Sequence, residues 1–215
     1  MLKSVRVPAA LVGPFEKAEA YVDWLFAAVE RRPAEGTIRI GGDRYVLVRA
    51  QALYFGLFDS MAESFGTKTA NEFIYKMARE IGRRDSATFS RRLGVTDGVE
   101  RLASGPVHFA HAGWAFVDIL ADSAPTTDDD YFLHYYHPNT FEAEVVKGRG
   151  GTREVSCHFS AGYSAGWCSD AFGVEVHGRE VRCTARGDEH CEFIMAPATR
   201  LDEHELRLWA RQGAP

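Results

Sequence analysis

Four residues in one short window have the types and spacing to hold a metal ion: Cys157, Glu180, Cys183 and Cys191. The last three follow the spacing Glu-x2-Cys-x7-Cys. Zn²⁺ takes four ligands of this kind in a tetrahedron, and a site filled by four protein ligands is structural, because no position is left for water or substrate. Cys183 and Cys191 face each other if the residues between them form a hairpin. Arg186-Gly187-Asp188-Glu189 supplies its turn. Glu180 and Cys183 then lie on the incoming strand and Cys191 on the outgoing one. The competing reading is three buried free thiols and a surface glutamate, since free Cys packs as a small hydrophobe. Three of the four cysteines of the chain share this window, with a Gly turn between two of them, and that favours the metal.

The fourth thiol, Cys168, lies 11 residues after Cys157. On a continuous helix that is about 16 Å along the axis, too far for both to bind one ion. A break at Gly162 or Gly166 would undo the exclusion. Two His-x2-His pairs, His108 with His111 and His134 with His137, are expected to be ordinary surface or pocket histidines. On a strand, residues three apart face opposite sides, so His134 and His137 diverge. No Gly-x-Ser-x-Gly elbow, P-loop or Gly-x-Gly-x-x-Gly run is present. Asp128-Asp129-Asp130 is expected to be solvated. A fully ligated zinc cannot activate water, so no enzyme is expected. Phe109, Trp114, Phe116, Phe132, Tyr135, Tyr163 and Trp167 flank the metal window and read either as an aromatic core or as the wall of an apolar pocket. His108, His137 and Tyr163 would be its polar groups.

Cys157, the 22 residues to Glu180, and Glu-x2-Cys-x7-Cys resemble the 4-vinyl-reductase-type domain. More closely, they resemble the sensory domain of aromatic-responsive bacterial activators of the phenol and xylene regulator type. Ala161-Gly162-Tyr163-Ser164-Ala165-Gly166 is similar to the Gly-Tyr-x-Ser-Gly run of that group. Thr140-Phe141-Glu142-Ala143-Glu144 is similar to its Ser-Phe-Glu-x-Glu run. The resemblance covers roughly residues 36 to 197. It implies a zinc ion on the four residues above and a small aromatic effector held between sheet and helices by His108, Phe109, Trp114, Tyr135, His137 and Tyr163. In phenol sensors of this group a His and a Trp hold the ligand hydroxyl. By register those positions fall near Phe109 and at His137, so this sequence departs at both. A smaller ring at His137 is expected to leave room for a ligand bulkier than phenol. The resemblance also admits an enzyme or enzyme partner in tetrapyrrole metabolism, and a scaffold of the vesicle-tethering type.

The elements that must position these residues read as α+β, an antiparallel sheet packed with helices and a zinc-stapled hairpin near the C-terminus. Residues 1–13 look extended and apolar. Pro14 opens a helix with Ala18, Tyr21, Val22, Leu25, Phe26 and Val29 on its apolar stripe, ended by Arg31-Arg32-Pro33. Thr37 to Val48 reads as a hairpin around Gly41-Gly42. Helices follow over 50–65 and 67–93, the second with a solvated basic cluster at Arg83, Arg84, Arg91 and Arg92. Asp97 caps a short helix closed by Gly105-Pro106. Strands are expected over 113–121 and 131–137, helices over 140–146 and 154–172, then the metal hairpin and a helix over 202–211.

This divides the chain into an N-terminal arm and dimerisation segment (1–35), the ligand-binding domain (36–197) and a C-terminal helix or linker (198–215). A homodimer is expected, because the apolar arm and the stripe of Tyr21, Leu25 and Phe26 exceed what one helix needs for its own docking. A net charge of −5 argues against direct nucleic-acid binding. No apolar run reaches bilayer length and no signal-peptide core is seen, so a cytoplasmic protein is expected.

Overall fold

The computed structural model describes residues 2–212. A five-stranded sheet forms its centre, in the order β1 (Val5–Arg6), β5 (Ala115–Ile119), β6 (Leu133–Thr140), β8 (Cys191–Ala196) and β7 (His177–Arg182). All pairs are antiparallel except the edge, where Val5 lies parallel to Val117. The expected antiparallel sheet is therefore present with one short parallel strand added by the N-terminal arm.

Because side chains alternate along a strand, β6 and β8 give each face of the sheet its own core. On the inner face, Tyr135 and Phe193 pack against α4 (Gly98–His111) and α6 (His158–Phe172). On the outer face, Ile194 and Val181 meet Leu201 and Leu208 of α7 (Leu201–Gln212). The long α3 (Thr67–Leu93) lies along α6, and α1 (Val12–Ala27) along α4. A small sheet of β2 (Glu30–Arg32), β3 (Thr37–Ile40) and β4 (Asp43–Tyr45) precedes α2 (Ala50–Phe65), and α5 (Phe141–Gly148) follows β6.

The glycines singled out as possible breaks in α6 instead bring two helices together. A Cβ at Gly166 would lie 1.8 Å from the Arg79 carbonyl oxygen, and one at Gly162 would lie 2.2 Å from that of Tyr75. Only glycine lets α3 approach α6 this closely. Because α6 is continuous, the axial argument that excludes Cys168 from the metal set stands.

Four expectations are corrected. The helix expected to close at Gly105-Pro106 runs through Pro106 to His111. A proline inside a helix costs about 3 kcal/mol, but Leu102, Val107 and Phe109 are all buried. At roughly 1.5–3 kcal/mol each, their burial outweighs the lost hydrogen bond. Residues 138–140, expected to open a helix, end β6, and α5 starts at Phe141. The helix expected from residue 154 starts at His158, for a reason given below. Finally, the apolar surplus of the N-terminal segment is taken up by the chain itself. Val5, Phe15, Val22 and Leu25 are buried in the common core, and Tyr21 and Phe26 pack against it.

Candidate metal centre and ligand cavity

Glu180 lies on β7, Cys183 just past its end, Cys191 opens β8, and Cys157 precedes α6. All four side chains are buried, and their ligand atoms lie within 4.8 Å of one another. The Cys157 and Cys191 sulfurs are 3.8 Å apart, and those of Cys191 and Cys183 are 4.0 Å apart. A tetrahedral site with metal–sulfur bonds of about 2.3 Å needs sulfurs about 3.8 Å apart, so this spacing fits a metal of that kind.

The carboxylate is arranged with it. Glu180 Oε2 accepts from the backbone N–H groups of Ser156 (3.0 Å) and Cys157 (2.7 Å). Its Oε1 is buried with no hydrogen-bond partner. Burial, with the Cys183 sulfur beside it, pushes the Glu180 carboxyl well above its usual range, and burial likewise raises the Cys157 thiol. A buried cluster of would-be anions with one orphaned oxygen is what a bound cation would resolve. The turn is set by Asp188, which accepts from the Cys183 N–H (2.7 Å) and pairs with Arg186, while Gly187 takes a positive φ of 107°.

A second buried carboxylate fixes the start of α6. Glu142 accepts from the N–H groups of Phe159 and Ser160, both at 2.8 Å, as a carboxylate does at a helix N-terminus. Burial raises its pKa to about 7, against those hydrogen bonds. The N–H groups of residues 156 and 157 are thus committed to Glu180 and those of 159 and 160 to Glu142. This delays the helix to His158 and presents Cys157 to the metal cluster.

Between α4, α6 and the sheet lies a small apolar cavity of about 20 Å³. That is room for about one water molecule. Leu102, Pro106 and Phe109 line it from α4, and Tyr163, Trp167 and Cys168 from α6. Val117, Leu133 and Tyr135 line it from the sheet. Of the six residues expected around a ligand, the structure places Phe109, Tyr135 and Tyr163 in this wall.

The other three stand outside it. His137 is fully buried one layer behind, its ring packed on Phe193 (4.6 Å), Tyr135 (5.2 Å) and Phe109 (5.9 Å). The room expected beside it is therefore filled. Neither of its ring nitrogens has a hydrogen-bond partner. Burial lowers its pKa to about 3, so the ring is neutral. His108 lies beyond the wall, between the Tyr45 hydroxyl (3.2 Å) and the Tyr163 hydroxyl (3.0 Å). Trp114 lines a surface cleft and stacks on Phe159 at 4.5 Å.

Leu102, Val117, Leu133 and Cys168 were not foreseen in the wall. Leu102, Pro106 and Phe109 follow helical spacing, and that signal was hidden by ending the helix at the proline. His134 and His137 diverge as expected. His111 pairs with Asp23 at 3.1 Å. The basic cluster forms surface ion pairs, Arg83 with Glu175, Arg84 with Glu80 and Arg92 with Asp43. Among the described residues no helix is long and apolar enough to cross a membrane.

Residues 139–197 match the model of the 4-vinyl-reductase-type domain, and residues 25–122 match the model described as activator of aromatic catabolism. The chain is 25% identical over 168 residues to the phenol regulator MopR of Acinetobacter guillouiae, a match that takes in 78% of this chain and 30% of that protein. The chain thus spans less than a third of the length of that curated relative. The phenol-responsive sensory domain of the transcription activator PoxR, in its crystal structure with phenol, shares the fold. The TM-score is 0.74 at 21% identity, covering 97% of this chain and all of that one. The resemblance read from the sequence holds.

Proposed function

We propose that this chain is the effector-sensing part of a regulator that responds to a small, mostly apolar aromatic compound, and that a structural zinc ion on Cys157, Glu180, Cys183 and Cys191 holds it together. The observation that carries this reading is the small apolar cavity with aromatic walls between α4, α6 and the sheet, backed by His137, a neutral imidazole with both nitrogens unpartnered. Apolar contact would supply most of the affinity, at roughly 25 cal/mol per Å² before ordering costs. His137 and the Tyr135 hydroxyl are the groups that would meet a polar substituent. A ring exceeds the present cavity, so binding requires a wall side chain to move.

The names of the relatives support the effector class: a phenol regulator, and a sensory domain bound to phenol. Control of transcription enters as part of the proposal. Zinc at the four-residue cluster would crosslink the start of α6 to the β7–β8 hairpin. A cytoplasmic homodimer completes the reading. Its support is the apolar surface still exposed, Trp24 and the run Val46-Leu47-Val48, rather than the N-terminal stripe.

Two measurements test it. Metal analysis of the purified chain should find one zinc per chain, and Cys183→Ser should lower stability by several kcal/mol. Glu180→Gln should cost less, because an amide oxygen still ligates weakly. A thermal-shift panel of mono- and bicyclic aromatics should contain compounds that raise the melting temperature. A chain with no transition metal removes the zinc assignment, and a panel with no responder removes the effector assignment.

A further inference from the structure

The polar groups behind the cavity wall form one directional chain. Tyr163 donates its hydroxyl proton to Asp85 on α3 at 2.9 Å. Having one proton, it must accept from His108, whose Nδ1 is 3.0 Å away. That fixes the proton of the neutral imidazole on Nδ1 and leaves Nε2 to accept from the Tyr45 hydroxyl at 3.2 Å. Each hydroxyl and ring proton is used once, so breaking one link alters the others. The chain begins in the cavity wall and ends on β4. Past Tyr45, Val46 and Leu47 are 75% and 73% exposed; the hairpin is also held by the buried Ile40, by the Tyr45 ring edge-on to Phe26 at 6.0 Å and by the surface pair of Asp43 with Arg92.

Tyr163 is also the wall residue that joins the cavity to this chain. The sheet wall is backed by the fully buried His137 and Phe193. The Trp167 indole is held by the Arg101 carbonyl at 3.0 Å. The hydroxyl end of Tyr163 points instead to Asp85, which is partly exposed.

We propose that Asp85, Tyr163, His108 and Tyr45 couple the cavity to the β3–β4 hairpin: an occupant that pushes the Tyr163 ring breaks its bonds to Asp85 and His108 and releases Tyr45. This rests on the sensory reading above. Coupling requires an element with two arrangements that both regions bias, and this hydrogen-bonded chain, intact or broken at Tyr163, is assigned that role.

The test is hydrogen–deuterium exchange of amides 37–48 with and without saturating 4-methylphenol, alongside the melting temperature. In the wild-type chain the probe should raise the melting temperature and speed exchange of the hairpin about tenfold, the scale of one lost buried hydrogen bond. In Tyr45→Phe the hairpin should exchange fast already and respond less than twofold, with the melting shift retained. Tyr163→Phe, which cuts the chain at its other end, should uncouple the hairpin in the same way at saturating probe, an outcome that local damage at Tyr45 would not reproduce. A melting shift with no change in hairpin exchange, or an undiminished response in Tyr45→Phe, overturns the relay alone. No melting shift with the probe overturns the relay and counts against the sensory reading as well.

Discussion

His134 and His137 sit three residues apart on β6, and the alternation of the strand sends one to each face of the sheet. Both are buried, with 2% and 0% exposure. On the outer face, His134 Nδ1 meets Asp122 at 2.9 Å and Nε2 meets Glu192 at 2.7 Å. Glu192 is fully buried and also pairs with Arg182 at 3.1 Å. Burial pushes the pKa of His134 down, but the two carboxylates outweigh it and hold it above the ordinary value. On the inner face His137 packs on rings with neither nitrogen hydrogen-bonded, and burial lowers its pKa to about 3. The same residue type thus ties two carboxylates under α7 in one case and is a neutral orphan behind a cavity in the other. Burial alone does not decide what a histidine does; the partners available at that depth decide it.

The largest effect that tests this contrast is removal of the outer tie. His134→Leu leaves Glu192 with Arg182 and a longer contact to His190 at 3.7 Å, and Asp122 with a long contact to Arg211 at 4.0 Å. Breaking a buried pair by removing one partner costs about 3 kcal/mol or more. Denaturant unfolding should show that loss. A change below about 1 kcal/mol would mean that His134 does not tie Asp122 to Glu192 as described.

The pH profile separates the two residues by sign. His134 has a raised folded pKa, so its stabilisation is complete below the ordinary histidine value of about 6.5 and is lost as pH rises through the folded value. His137 has a lowered folded pKa. Between about 6.5 and 3 the unfolded chain takes up a proton that the native chain refuses, so stability falls with decreasing pH by about 1.4 kcal/mol per unit. His108, lowered to about 3 by burial and by His111, adds to the same acid limb. Melting temperatures over this range should show the alkaline limb flattened in His134→Leu and the acid limb reduced in His137→Leu. Flattening of the same limb in both variants would break the contrast.

What the sequence revealed follows from the range of each signal. The helices at 50–65 and 67–93 carry local periodicity with Gly66 between them, and both appear with those bounds. The convergence of Cys157, Glu180, Cys183 and Cys191 was legible because three of the four share one hairpin and thiols are few. Pro106 misled because its local cost is real, while the buried stripe that outweighs it depends on α6 and the sheet. The partners of His134 and His108 lie at Asp122, Glu192, Tyr45 and Tyr163. Spacing showed that the two histidines of β6 diverge, but not which one meets carboxylates. The later start of α6 was equally hidden, since it depends on Glu142 and Glu180, 17 and 23 residues from the amides they hold.

The smallest effect bears most directly on function. His137 carries one donor and one acceptor, both buried and unpaired, and each such group costs free energy in the folded state. A leucine there fills nearly the same volume among Phe109, Tyr135 and Phe193 without that penalty. His137→Leu should therefore leave stability at neutral pH unchanged or raise it by up to about 1 kcal/mol, opposite in sign to His134→Leu. A residue retained against stability points to use, and the use open to this imidazole is a hydrogen bond to a polar substituent of an effector. The variant should accordingly lose discrimination between 4-methylphenol and the isosteric 1,4-dimethylbenzene, with the hydroxylated compound losing about fivefold in affinity. Calorimetric titration of both compounds on both proteins checks this. A stability loss of several kcal/mol on replacing His137, or an unchanged preference for the hydroxyl, would show that the ring has a partner or a purpose other than the cavity.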